Sequence, residues 1–249
     1  MNKKYFCNKK KSGIYLKPSS KSEKLKEILY GEEFLVNKSS KGYFFGYCKN
    51  DKYFGYILKK NISICESKHD YIVIDDKAKL YKSNNIRKPT KNYLYLNSRV
   101  GILKQDKKFS YIGQYWIKNK NIKKISKSKN INFLKNIKFY KNTKYNWGGN
   151  TSDGIDCSGL VQELMKNINK RCPRDSKDQQ KFFKNKININ KIRKGDLLFW
   201  KGHVAIALSK KKIVHAYGPK KKVIVMEMSG VISELLKKSL KLQSVNRPQ

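Results

Sequence analysis

The sequence predicts an α+β chain. Two small β-barrels over residues 1–66 and 67–126 precede an α+β domain over 130–249, in which a helix carrying a cysteine packs on an antiparallel sheet. Three observations predict it. About 125 N-terminal residues alternate short β-type runs with turn signals. The second half of that region echoes the first. From Cys157 onward the apolar residues switch to helical spacing, and apolar runs short enough for strands follow.

In the first module, "SGIYLKPSSKSEKLKEILYGEEFLVN" gives a strand, a Pro-Ser turn, a run ending at Gly31 and a third strand. "GYFFGYCKN" and "KYFGYILKKNI" are aromatic-rich strands joined at Asn50-Asp51. Five short strands in about 50 residues suit a small barrel. The echo runs through "YIVIDDKAKLYKS", "NYLYLNSRVGILKQ" and "FSYIGQYWIKNKNIKKI", and "YFGYILKKNI" against "YIGQYWIKNKNI" reads as an internal duplication. Lys123 to Lys129 form a polar linker. "INFLKNIKFYKNTKYNWGG" predicts a helix of one or two turns on Ile131, Phe133, Leu134, Ile137 and Phe139, halted at "NWGGN". Leu160, Val161, Leu164, Met165 and Ile168 then form one helical face, with Cys157 in the first turn.

The chain of 249 residues carries 58 Lys+Arg against 18 Asp+Glu, a formal charge of +40 that would ordinarily point to nucleic acid. Only Arg87, Arg99, Arg171, Arg174, Arg193 and Arg247 are arginines, and the lysine comes with abundant Asn and Ile, the mark of adenine- and thymine-rich codons. A nucleic-acid reader would use the arginine fork more freely. Nucleic acid is therefore not the expected partner. The basic N-terminus lacks the apolar run of a signal peptide, and nothing approaches the length of a membrane span. Cys7, Cys48, Cys65, Cys157 and Cys172 are odd in number and irregularly spaced, which fits a reducing cytoplasm.

The stretch "DGIDCSGLV" concentrates the chemistry. A thiol at a helix start faces free backbone N–H groups, which favour the thiolate. Asp156 can cap the helix or line the adjoining pocket, and Ser158 and Gly159 keep the backbone beside the sulfur uncrowded. Of the three histidines, His69 reads as a solvated loop residue without a cysteine or acidic neighbour at ligand spacing. His203 and His215 fall on two apolar strands. A hairpin turn centred on Ser209 would pair positions summing to 418, setting 203 opposite 215, with Val204, Ile206 and Leu208 on the other face as core. Cysteine, base and an orienting group make a generalised triad. A zinc site of Cys157, His203 and His215 lacks a carboxylate general base at motif spacing, so no metal is expected. A non-enzymatic basic protein binding nucleic acid or cell-wall polymer is the alternative.

"YNWGGNTSDGIDCSGLVQELM", "PRDSKDQ", "RKGDLLFW", "HVAIAL" and "IVHA" stand in the order seen in the NlpC-type, papain-like cysteine peptidases of bacterial cell-wall metabolism, which this region resembles. The N-terminal modules resemble bacterial SH3-like domains. The resemblance implies Cys157 as nucleophile, His203 as general base, His215 as orienting residue and Tyr145 near the oxyanion. It also implies a γ-D-glutamyl–diamino acid bond in freed peptidoglycan peptides as substrate, no cofactor, and Asp156 and Ser176 at the substrate's free amine. In such enzymes the first module walls off one end of the groove, a task for an aromatic among Tyr43, Phe44, Phe45 and Tyr47. One departure is the turn "LSKKKI", which lacks the glycines usual between the histidine strands.

Overall fold

The computed structural model describes residues 4–65, 68–125 and 132–248. The chain divides into two compact units, Met1–Lys129 and Asn130–Gln249. Most of the expected linker, Ser126 to Lys129, and Ile131 lie outside the described residues.

In the first unit the opening strands are β1 (Lys4–Cys7), β2 (Lys11–Tyr15), β3 (Lys24–Leu29), β4 (Glu33–Ser40), β5 (Tyr43–Cys48), β6 (Tyr53–Leu58) and β7 (Ile62–Ser63). They form one sheet in the order β3-β2-β6-β5-β4-β1-β7 over a core that includes Ile14, Ile28, Phe34 and Ile57. The five expected strands are thus seven, in an open ladder with β3 and β7 at its edges. The second set is β8 (Tyr71–Val73), β9 (Lys77–Tyr81), β10 (Pro89–Tyr95), β11 (Arg99–Val100), β12 (Lys104–Gln105), β13 (Phe109–Tyr111), β14 (Trp116–Lys118) and β15 (Ile122–Lys124). Its sheets run β10-β9-β14-β13-β12 and β11-β8-β15.

The two orders coincide once β11 and β12 are taken together as the counterpart of β4. In the first copy β4 pairs with both β5 and β1, and its register shifts between Val36 and Lys38. In the second copy that strand is broken outright by Gly101–Leu103, so one sheet becomes two. The closing segments match in detail. β6 and β14 each lead into a 3-10 turn, Lys59–Asn61 and Asn119–Asn121, and the following isoleucines, Ile62 and Ile122, have φ −132° and −131°.

His69 is not solvated. Its ring is half-buried, edge-on to Phe6 with centroids 4.6 Å apart, and its Nδ1 lies 3.1 Å from the Gly31 carbonyl, to which only an N–H can donate. Nε2 is 3.6 Å from Cys65 Sγ, so a cysteine four residues upstream is its neighbour after all. Burial lowers its pKa. The chain brings Gly31 to it from 38 residues away, which local spacing does not reveal.

The second unit opens with a 3-10 helix, Phe133–Tyr140, where one or two helical turns were expected. Its buried residues are Leu134, Asn136 and Tyr140, while Phe133, Ile137 and Phe139 are only half-buried. Then come β16 (Asn150–Thr151), β17 (Gly154–Ile155), α1 (Cys157–Asn167), α2 (Ser176–Phe182), β18 (Leu197–Trp200), β19 (His203–Ala207), β20 (Lys212–Tyr217), β21 (Lys222–Glu227), α3 (Met228–Lys237) and β22 (Ser244–Asn246). The main sheet runs β21-β20-β19-β18-β22, antiparallel throughout.

This sheet is buried on both sides, which is why β18 reads "LLFW" without alternation. Leu198, Trp200, Ala205, Ala207, Ile213 and Tyr217 pack with Val231 and Leu235 of α3. Val204, Ile206 and Val214, also buried, alternate onto the other face, and α1 packs against β19 and β20. Leu160, Val161 and Leu164 of that helix are fully buried. Among the described residues no helix is long and apolar enough to cross a membrane.

Candidate active site

The start of α1 is fixed by polar groups that converge on one carboxylate. Asp156 is the N-cap: its Oδ1 accepts the Gly159 N–H at 2.7 Å and its Oδ2 the Gly148 N–H at 2.8 Å. Arg174, buried beside it, donates Nη1 to Oδ1 at 2.9 Å and Nη2 to Oδ2 at 2.5 Å. Nη1 also reaches Ser158 Oγ at 2.9 Å. The loop before the helix lies close: a Cβ on Gly159 would stand 2.6 Å from the Gly149 carbonyl, so the backbone contact requires glycine. Ser176 is the first residue of α2 and is buried. From the same helix Gln179 donates Nε2 to the carbonyls of Ser158 and Pro173 at 2.8 and 2.9 Å.

The Cys157 thiol is buried, and the nearby backbone N–H groups of Val204 and Ser158 favour its ionised form. The expectation of a thiolate favoured by the helix start is corrected here. Burial first, then the negative charge of Asp156, outweigh those two donors and the Arg174 cation and push the thiol up to about 12. The resting sulfur is therefore protonated. Tyr145 lies in a bridge to Ile155, its N–H on the Lys221 carbonyl at 2.8 Å. Its hydroxyl is pushed up by burial and by the nearness of Cys157 and Asp156, which sets it at the same site.

The histidine hairpin has a different register from the one expected. Ile206 pairs with Val214 and Ala207 with Ile213, so facing positions sum to 420 and the turn is centred on Lys210. Leu208 and Ser209 both donate to the Lys212 carbonyl, at 2.8 and 3.2 Å, and Ser209 Oγ accepts the N–H groups of Lys211 and Lys212. None of the four turn residues has a positive φ, so the missing glycines are not needed. Because the shift is even, both imidazoles keep the same face and meet diagonally, His203 Nε2 lying 2.9 Å from His215 Nδ1. Leu208, expected in the core, is only half-buried.

Burial lowers His203 to about 4, and burial together with His203 lowers His215 to about 3, so both rings are neutral near pH 7. Tyr217 stacks on His215 with centroids 4.4 Å apart and planes 11° apart, and its hydroxyl donates to Glu234 Oε1 at 2.7 Å. Sequence reasoning missed Arg174, Tyr217, Met226 and Glu234. Arg174 had a usable signal: an arginine kept in a chain that otherwise uses lysine marks a place where the planar fork is required. Among the described residues no group of three or more His, Cys, Asp or Glu is gathered as a metal site would need.

A cysteine at the start of a helix packed on an antiparallel sheet, with a paired histidine entering from the adjoining strand, defines the papain-like α+β class. Residues 142–239 match the model of the NlpC/P60 family, and this part of the chain is an NlpC/P60 domain. Among curated relatives, Dipeptidyl-peptidase 6 of Lysinibacillus sphaericus is 42% identical over 72 residues, 29% of this chain and 27% of that one. Gamma-D-glutamyl-L-lysine dipeptidyl-peptidase of Bacillus subtilis (strain 168) is 25% identical over 190 residues, 72% of this chain and 64% of the relative. The chain thus spans about a quarter of the first and less than two thirds of the second. The crystal structure of an NlpC/P60 family protein from Bacillus cereus ATCC 10987 superposes with TM-score 0.82 at 16% identity, over 98% of this chain and 99% of that one, and shares the fold.

Proposed function

We propose that the protein is a cysteine peptidase that hydrolyses the γ-D-glutamyl–diamino acid bond of freed peptidoglycan stem peptides. The observation that carries this is the joint placement of a buried helix-start thiol and, at the start of strand β19 packed against that helix, an imidazole held by a second one at 2.9 Å. With thiol and imidazole both neutral at rest, His203 acts as general base when substrate is bound. It takes the Cys157 proton as sulfur attacks the carbonyl carbon. It then returns that proton to the departing amine, leaving a thioester that water hydrolyses with His203 again as base. His215 holds the ring in place and stabilises its cationic form. The Tyr145 hydroxyl and the backbone N–H groups at the start of α1 are the donors for the oxyanion.

The substrate class is supported by the activity for which the Bacillus subtilis relative is named, that of a gamma-D-glutamyl-L-lysine dipeptidyl-peptidase. For the free amine of the peptide we assign Ser176 and Asp156, with a condition. The carboxylate already accepts both Arg174 nitrogens and two backbone N–H groups, so an incoming ammonium shares it with Arg174.

We assign residues 4–125 to two SH3-like modules, a reading supported by the shared strand order and the matching 3-10 turns. We place the reaction in the cytoplasm, in keeping with five cysteines that are odd in number and irregularly spaced. The deciding experiment is hydrolysis of L-Ala-γ-D-Glu-L-Lys and its diaminopimelate counterpart by the wild type and by Cys157→Ala. Release of L-Ala-D-Glu by the wild type alone is the expected result. More than a trace from the variant would remove the mechanism.

A further inference from the structure

The outer nitrogen of the orienting histidine faces an unusual partner. His215 Nε2 lies 3.4 Å from the Sδ of Met226, which reaches it from β21, and Met226 is partly buried against the α3-side core. A thioether has no hydrogen to give and can only accept. Two lone pairs facing each other at this distance would repel, so the proton of the neutral His215 ring belongs on Nε2, donated to sulfur. Its Nδ1 is then a bare lone pair. The 2.9 Å contact with His203 consequently runs one way, with His203 Nε2–H donating to His215 Nδ1. A neutral imidazole carries one proton, so His203 Nδ1 is left unprotonated. This is the nitrogen available to a thiol.

We propose that Met226 is a positioning residue: by accepting the Nε2–H of His215 it sets the tautomer of both histidines and leaves His203 Nδ1 as the base. Tyr217, stacked on His215 with planes 11° apart, fixes the ring plane so that the Nε2–H continues to point at the sulfur. The peptidase role of this tautomer rests on the function proposed above; the tautomer itself does not. No atom of Met226 enters the reaction. It acts through two imidazoles.

The chain has only three histidines, so the test is spectroscopic first. In long-range proton–nitrogen correlation spectra of the full-length protein at pH 7, assigned with His69→Ala and His215→Asn, His215 should appear as the Nε2–H tautomer and His203 likewise. Met226→Leu, similar in volume but without an acceptor, should populate both tautomers of His215. It should also lower kcat on L-Ala-γ-D-Glu-L-Lys by about five- to tenfold, the weight of one modest hydrogen bond, with KM changed less than about twofold. Met226→Gln, whose Oε1 can accept the same proton, should restore the Nε2–H tautomer and most of kcat. An Nδ1–H tautomer of His215 in the wild type would overturn the proposal. So would a Met226→Leu protein whose tautomers and kcat are unchanged, or a Gln variant no better than the Leu one. Hydrolysis by Cys157→Ala, in contrast, would overturn the peptidase reading and leave the spectra as evidence on the tautomer alone.

Discussion

Arg174 grips Asp156 through both terminal nitrogens of its guanidinium, and the carboxylate it holds is the N-cap of the helix that begins at Cys157. The ion pair is buried and supported by the Gly148 and Gly159 N–H groups, so its desolvation is compensated only while every member is present. Arg174→Met leaves a carboxylate buried without its counter-charge. We expect it to lose about 3–5 kcal/mol of stability in denaturant titration. Arg174→Lys, which keeps the charge and loses the fork, should lie between it and the wild type. Equal midpoints for all three proteins would show that the pair contributes nothing to the fold.

His203 and His215 have unequal duties, and substitutions should separate them. His203→Ala removes the base and should cost as much activity as Cys157→Ala, since the two act as a unit. His215→Asn keeps an acceptor for His203 Nε2 and should retain substantial turnover, whereas His215→Leu should fall a further hundredfold or so, a size typical of general acid–base effects. Equal kcat/KM for Asn and Leu would remove the orienting role.

The buried histidines also predict acid sensitivity. Their native values, about 4 and about 3, lie below the roughly 6.5 of an unfolded chain. Between these limits the unfolded state binds more protons than the native one, so the melting temperature should fall as pH drops from about 6.5 toward 3, and this contribution levels off below that. Substituting His215 by Asn should flatten part of this slope. A melting temperature independent of pH over that range would contradict neutral burial.

The same values bear on catalysis. With the thiol up at about 12 and the base neutral above about pH 5, kcat at saturating substrate should be level between roughly pH 6 and 9, while kcat/KM also follows the substrate's own amine near pH 8. A stable thiolate–imidazolium pair would instead lose activity as the imidazolium deprotonated, and an alkaline fall of kcat near pH 8 would mean that the site is ionic.

Amine recognition is tested by comparing L-Ala-γ-D-Glu-L-Lys with its N-acetylated form. Acylation removes the charge-assisted hydrogen bond between the ammonium and Asp156, a contact of about 1.5–3 kcal/mol, or roughly ten- to a hundredfold in kcat/KM. A ratio near one would place recognition elsewhere on the peptide and favour intact peptidoglycan as substrate.

What the residues disclosed and what they hid divide along physical lines. The Cys157 helix, the apolar strands and the pairing of His203 with His215 follow from periodicity, and pleat alternation put both rings on one face even though the expected turn centre was off by one residue. The acidity of Cys157 was misjudged because the helix-start field is local while burial depends on everything packed around the thiol. Asp156 was legible as a cap, but its grip by Arg174, 18 residues away, was not. His69 went wrong for the same reason, since its carbonyl partner arrives from Gly31. The likeness of the two N-terminal stretches was legible in their aromatic spacing, and the structure adds that their strand orders coincide once β11 and β12 are joined.

The even shift of the β19–β20 hairpin has a meaning for anyone who would cut into this chain. A displacement of one residue would turn His215 toward α1 and dismantle the histidine pair, while a displacement of two leaves both rings on the same side. Ser209 to Lys212 are all exposed and impose no left-handed backbone. The tip of this hairpin is thus a natural port for a spliced-in reporter or epitope, provided that the graft's two ends leave the Ile206–Val214 pairing as it stands.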